Sequence, residues 1–171
     1  MLEIRAEEAA DVDAIRQVNL EAFGQHAEAD LVEALRAAGK SSVSLVALQD
    51  GRVVGHILFS PVSIDCEGRH LAAVGLAPMA VLPQKQRQGV GSELVRHGLD
   101  ACRRASHAIV VVLGHPEYYP RFGFVPASRF SVTCEYDVPD EVFMALELQP
   151  GALQGHGGTA RYQPEFRQMD S

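Results

Sequence analysis

Between residues 81 and 92 the chain reads Val81-Leu82-Pro83-Gln84-Lys85-Gln86-Arg87-Gln88-Gly89-Val90-Gly91-Ser92, an apolar strand end that runs into a helical pattern. The chemistry open to such a segment is anion binding. The first turn of a helix carries N–H groups with no partner and the positive end of the helix dipole, so it attracts phosphate oxygens. Gly89 and Gly91 lack Cβ atoms and let a pyrophosphate approach the backbone, while Lys85 and Arg87 bring positive charge. A Gly-x-Gly pair alone makes only a tight turn. A dinucleotide fingerprint is excluded by Leu94, which stands where its third glycine belongs. Gly39-Lys40-Ser41 is not a P-loop, because Ala34 occupies the place of the first glycine. Neither a Gly-x-Ser-x-Gly elbow nor a His-Glu-x-x-His helix occurs.

The elements around this segment follow from periodicity. Leu2 to Arg5 is a short strand, and Asp11 is the expected N-cap of a helix that carries Val12, Ile15, Val18 and Phe23 on one face. A second helix runs through Leu31, Val32 and Leu35 and stops at Gly39. Val43 to Leu48 and Val53 to Val62 form a hairpin around Gln49-Asp50-Gly51. Cys66-Glu67-Gly68-Arg69 marks the next turn. His70 to Val81 is a central strand, expected to break or bulge at Pro78, which cannot donate a ladder hydrogen bond. Val90, Leu94, Val95, Leu99 and Cys102 fall on one helical stripe, with Arg103 and Arg104 in the last turn. Ala108 to Leu113 is a β-branched run for a strand buried on both faces, so strand, helix, strand implies a parallel crossover and a mixed sheet. Glu141 to Leu148 is a further strand. The Gly155 to Gly158 turn leads to a last one around Ala160 to Tyr162.

Composition limits the function. At 171 residues the chain is expected to be one domain over 1–171, with residues 151–171 forming a C-terminal turn and last strand. Hydrophobic residues make up 47% and charged residues 22%, with no run long enough to cross a bilayer, so a soluble protein without a membrane partner is expected. The N-terminus has no basic start followed by an apolar stretch, which leaves the cytoplasm as the expected setting. Cys66, Cys102 and Cys134 are odd in number and far apart, and are expected as reduced, mostly buried thiols with no metal site. A formal net charge of -7 disfavours nucleic acid as a partner.

Gln86-Arg87-Gln88-Gly89-Val90-Gly91 resembles the acetyl-CoA signature of the GNAT N-acetyltransferase superfamily: Gln or Arg, any two residues, Gly, any residue, then Gly or Ala. Leu76 to Pro83 ahead of it and Tyr119-Pro120-Arg121-Phe122-Gly123-Phe124 after the next strand carry the resemblance on, toward the bacterial branch of predicted N-acetyltransferases. The resemblance implies an α/β (α+β) fold. Its mixed, mostly antiparallel central sheet is flanked by helices, and a splayed strand pair holds acetyl-CoA as co-substrate. The cofactor-binding residues are then Met79, Ala80 and Val81 for the pantetheine arm, and Gln86, Arg87, Gln88, Gly89, Val90, Gly91 and Ser92 for the pyrophosphate. Pro78 would help its strand part from Val110 to Leu113.

The implied reaction is attack of a neutral primary amine on a thioester, with an N–H near Ala80 stabilising the oxyanion. By family position Tyr119 is the general acid for the departing thiolate, whereas Tyr118 packs with Phe122 and Phe124. An ammonium with a pKa near ~10.4 must first lose a proton. Many GNAT enzymes place a glutamate early on the strand before the motif, where this chain has Val74-Gly75. Glu28, Asp30, His115, Glu117 or water remain as the base. The acceptor is a small-molecule or peptide amine, and a homodimer stays open. The competing reading is an acyl-CoA-binding sensor or interaction module that transfers nothing, which the absent glutamate favours. A purely structural protein would leave the Gln86 to Gly91 cluster unexplained.

Overall fold

In the computed structural model, which describes residues 1–170, the chain divides into two compact units. The first comprises Met1–Ser60, Pro78–Ala101 and the residues from Pro164 on; the second comprises Pro61–Ala77 and Cys102–Gln163. Two long strands, β3 (Arg52–Cys66) and β4 (Arg69–Val81), contribute to both.

In the first unit, β1 (Leu2–Ala6) pairs antiparallel with β2 (Val43–Gln49), and β2 with β3. The tight Asp50-Gly51 turn sets the β2–β3 hairpin, both residues taking positive φ as such turns demand. Successive β3 residues face opposite ways. Leu58 joins a core with Ile15 and with Leu31, Val32 and Leu35, from helices α1 (Val12–Phe23) and α2 (Ala27–Ala37). Gly55, Ile57 and Phe59 meet helix α3 (Val90–Arg104) instead. There, Gly55 lets Leu94 and Val90 settle on the strand: a Cβ at residue 55 would lie 3.0 Å from Leu94 Cδ1 and 3.2 Å from Val90 Cγ1. The expected stripe of α3 is the buried one, with Val90, Leu94, Val95, Leu99 and Cys102 all covered. A fully buried leucine or valine contributes about 1.5–3 kcal/mol, so the helix is held firmly.

A buried polar chain ties these elements together. Arg36 on α2 donates to both carboxylate oxygens of Glu7, at 2.8 and 3.1 Å, and Ser44 Oγ donates to Glu7 Oε1 at 2.6 Å. Since the Ser44 proton is used there, His56 Nε2–H is the donor across the 2.9 Å to Ser44 Oγ. His56 is fully buried, and burial, helped by Arg36 and opposed by Glu7, lowers its pKa to about 4. Burial alone would raise the Glu7 pKa; the bonds from Arg36 and Ser44 outweigh it and leave it lowered.

In the second unit, β4 runs parallel to β5 (Ile109–Leu113), which pairs antiparallel with β8 (Phe143–Glu147). The two-residue β6 (Val125–Pro126) continues beyond β8. On the other side, β9 (Gly158–Arg161) lines the end of β3 and takes β7 (Val132–Cys134) alongside. The fold class is α/β (α+β), a mixed, mostly antiparallel open sheet with helices beside it.

Several expectations need correction. Asp11 stands at the N-cap of α1 without capping it: its carboxylate accepts from the Glu8 N–H at 2.7 Å and from Arg5 at 2.7 and 3.1 Å. Phe23 is 39% exposed rather than part of the buried face. β4 is unbroken from Arg69 to Val81, straight through Pro78, so the strand does not break there, and its pairing with β5 joins Val74↔Val110 and Gly75↔Val111. Of the thiols, Cys102 is buried and pushed up to about 12 by that burial, Cys134 is half-buried, and Cys66 is exposed on its turn. β6 and β7 were not expected, because segments of two and three residues carry no readable period.

Candidate active site

The loop ahead of α3 is built to present backbone. Gln86, Arg87, Gln88 and Gly89 are exposed. Gln86 Nε2 reaches back to the Val81 carbonyl at 3.0 Å, and Gln88 Nε2 to the Gln84 carbonyl at 3.1 Å, so both side chains brace the loop. Arg87 adopts φ 64, a left-handed conformation that costs a non-glycine residue about 1–2 kcal/mol and concentrates at ligand sites. Gly89 has φ 89, and a Cβ built there would meet nothing within 4 Å. Its identity is fixed by the backbone and not by any neighbour. The first bond into the helix runs from Glu93 N–H to Gly89 C=O at 3.0 Å, so the amides of Val90 and Gly91 lie ahead of the helical ladder and open toward the loop. Such an arrangement is chemically able to take an anion, with Arg87 exposed beside it.

The end of β4 presents amides in a second way. Leu82 N–H donates to Val54 C=O at 2.9 Å, and burial alternates regularly over Pro78, Met79, Ala80 and Val81. By strand alternation the nitrogens of Ala80 and Pro78 therefore point to β3 as well, and the N–H groups of Met79 and Val81 point away from it. Met79 and Val81, and not Ala80, are therefore the residues whose N–H groups face away from β3. Pro78 gives up a donor on the β3 side, so its missing N–H is not what parts β4 from β5.

Tyr119 lies in the second unit and opens a short 3-10 turn, Tyr119–Phe122, closed by Gly123 at φ 100. The turn is pinned by Arg121, whose Nε donates to Tyr118 C=O at 3.0 Å while its guanidinium sits 4.6 Å over the Tyr118 ring. Tyr119 is 7% exposed, edge-on to Tyr118 at 5.1 Å and to Phe124 at 5.7 Å. Burial, with Tyr118 adding to it, pushes the phenol up to about 12. It stays protonated throughout the neutral range and can donate. Tyr118 packs edge-on to Phe122 at 5.2 Å as expected, while the ring beside Phe124 is that of Tyr119.

A family model described as the acetyltransferase (GNAT) domain matches residues 3–127, which include the loop ahead of α3 and Tyr119. The chain belongs to the GNAT acetyltransferase family. It is 37% identical to the uncharacterised N-acetyltransferase YhbS of Escherichia coli over 97% of this chain and 99% of that protein. The crystal structure of that GNAT enzyme in complex with CoA superposes with a TM-score of 0.91, covering 97% of this chain and 92% of that one. A GNAT family acetyltransferase from Brucella melitensis in complex with acetyl-CoA is also 37% identical and superposes with a TM-score of 0.81, over 97% and 98% of the two chains.

Where many GNAT enzymes carry a glutamate on β4, this one has the buried pair Val74 and Gly75. Among the other candidate bases, Glu28 is buried and not solvated as expected, with Gln25 Nε2 donating to its two carboxylate oxygens at 3.0 and 3.1 Å. Asp30 is exposed and ion-paired with Arg16 at 3.0 Å. His115 and Glu117 are exposed on the approach to Tyr119. No helix among the described residues is long and apolar enough to cross a membrane.

Proposed function

We propose that this GNAT enzyme transfers an acetyl group from acetyl-CoA to a primary amine of a small molecule or peptide. The observation that carries the reading is the loop ahead of α3, a run of exposed backbone with two left-handed residues, in a chain whose relatives of known structure hold CoA and acetyl-CoA. The residues present fit the group: amides and Arg87 suit its pyrophosphate, and open space around Gly89 leaves room for it. Bound acetyl-CoA supplies an activated acetyl group as a thioester.

The chain's own residues divide the remaining work. Gln86, Arg87, Gln88, Gly89, Val90, Gly91 and Ser92 hold the pyrophosphate. The N–H groups of Met79 and Val81, with Ala80 between them, hold the pantetheine arm and offer a donor where negative charge develops on the carbonyl oxygen. Tyr119 offers its hydroxyl to the leaving sulfur. At a pKa of about 12 it is a weaker acid than a thiol near ~8.5, so it acts chiefly by hydrogen-bonding the thiolate while the acceptor's own proton replaces any it gives up. Glu28, Asp30, His115, Glu117 or water takes the acceptor's proton, and Asp30 would have to leave Arg16 to do so. Three free thiols support a cytoplasmic setting, and sedimentation would separate monomer from homodimer.

The test is a thermal melt with and without acetyl-CoA, followed by thiol release from acetyl-CoA with a panel of lysine, polyamine, aminoglycoside and peptide amines. A ligand at 100 times its Kd stabilises the fold by about 2.7 kcal/mol. A midpoint unmoved at saturating acetyl-CoA overturns the cofactor assignment. A raised midpoint with no amine-dependent thiol release would instead favour the binding module, to which Val74 and Gly75 already lend some support.

A further inference from the structure

We propose that Gly114 is a positioning residue for Tyr119, its missing side chain being the space in which the phenol ring rests. Gly114 follows β5 directly, and its N–H donates to Val142 C=O at 2.9 Å. That bond continues the antiparallel β5–β8 register one step past Leu113↔Phe143, so the backbone is fixed. Its φ lies outside the left-handed region, so nothing in the main chain calls for glycine here. The calling comes from Tyr119. A Cβ built on Gly114 would run into Tyr119 Cε2, and would lie 2.8 Å from Cδ2 and 3.3 Å from Cζ. Those three nearest atoms all belong to the Tyr119 ring.

The ring has nowhere to retreat. Tyr118 stands 5.1 Å away edge-on, Phe124 5.7 Å away edge-on, and Phe122 6.4 Å away, with Phe124 itself 1% exposed. A methyl group at residue 114 must therefore tilt the phenol about its Cβ, and the hydroxyl, at the far end of the ring, moves furthest. A displacement of about 1 Å is enough to cost a catalytic donor 10²-fold in rate. Gly98 and Gly75 likewise lie against rings, those of Phe59 and Tyr162, whereas Gly89 is set by its own φ and Gly55 by the packing of α3 on β3.

This inference rests on Tyr119 being the acid, and the experiment keeps the two apart. Thiol release from acetyl-CoA is measured, with the best amine of the panel, for wild type, Tyr119→Phe, Gly114→Ala and the double variant. The expected result is a turnover lowered at least 10-fold in Gly114→Ala, with acetyl-CoA affinity within twofold of wild type. In the Tyr119→Phe background the same glycine change should cost less than twofold further, because no hydroxyl is left to misplace. Wild-type turnover in Gly114→Ala, or an equal loss in both backgrounds, overturns the positioning role. Wild-type turnover in Tyr119→Phe overturns the acid assignment instead. Should Gly114→Ala fail to fold, the contact is read from melting midpoints in a Tyr119→Ala background, where the ring is gone. There Gly114→Ala should lower the midpoint by no more than 1–2 °C, roughly an ordinary surface substitution, and an undiminished loss refutes the contact.

Discussion

The loop ahead of α3 and the turn that carries Tyr119, to which we assign parts in one reaction, are built by opposite means. The loop is exposed, its ligand groups are main-chain amides, and its special residues, Arg87 and Gly89, are set by their own φ angles. Tyr119 is the buried residue of its turn, the group proposed to act is its side-chain hydroxyl, and its ring lies against Gly114, Tyr118 and Phe124. Backbone recognition depends on local conformation and so survives in a short motif. A side-chain donor depends on neighbours contributed by separate stretches of chain. The first should be broken by a local charge with the fold intact, and the second by changes that leave binding alone.

The largest effect is expected from Gly89→Asp. Two unit charges 4 Å apart repel by about 4 kcal/mol at an effective dielectric of 20, roughly 10³-fold in Kd. The fold should survive, because a Cβ at residue 89 meets nothing and the left-handed strain costs about 1–2 kcal/mol. Gly89→Ala separates the two contributions: it carries the strain without the charge and should bind acetyl-CoA within a few fold of wild type. Calorimetric titration reads both, and an unweakened Gly89→Asp would end the phosphate-cradle reading. Gly91→Asp is expected to lose binding as well.

Next comes Tyr119→Phe, which keeps the ring and deletes the hydroxyl. Turnover should fall by roughly 10²-fold while acetyl-CoA affinity stays put. Loss in Tyr118→Phe and none in Tyr119→Phe would mean that the neighbouring tyrosine is the donor. The pH profile sharpens the point. With its pKa raised to about 12, Tyr119 is protonated and active at every pH below that, so it contributes no alkaline fall between pH 7 and 10. An alkaline limb near pH 9 that vanishes in Tyr119→Phe would contradict a buried phenol.

The same contrast explains what could be read in advance. α3 and β5 were legible because an amphipathic stripe and a β-branched run are local signals, and the Gln86 to Gly91 spacing named the loop. Tyr119 entered through family resemblance alone, since a tyrosine among aromatics carries no catalytic signature. Gly114 was not legible at all: its constraint is the ring of a residue that only the fold lays against it. Met79 and Val81 were marked together with Ala80, and only the bond from Leu82 to Val54 told their amides apart. Asp11 misled because its usual capping geometry lost to Arg5 and Glu8, which a helix pattern does not reveal.

The smallest effect bears on the unit that contains the loop, and arises from a residue no motif marked. His56 is buried neutral between Ser44 and Asn19, with Glu7 and Arg36 the charged groups nearest along the chain of bonds. Its folded pKa of about 4 lies below the unfolded value of 6.5, so between those pH values the unfolded chain binds a proton that the folded one refuses. Stability contributed by this group is thus complete above pH 6.5 and lost as pH falls toward 4. At about 1.4 kcal/mol per pH unit across that window, the loss between pH 7 and pH 5 comes to about 2 kcal/mol. Glu7, whose pKa is lowered, loses its contribution only further down, as pH falls below the usual carboxylate range, so the pH 7 to 5 interval reports on His56. Urea unfolding at the two pH values should show this drop in wild type and most of it gone in His56→Gln, which keeps an N–H for Ser44 but cannot titrate. If the variant shows the full drop, the acid sensitivity lies elsewhere; if amides of α1 and β1 to β3 lose hydrogen-exchange protection at pH 5 before those of β5 and β8, the two regions differ in stability as well as in chemistry.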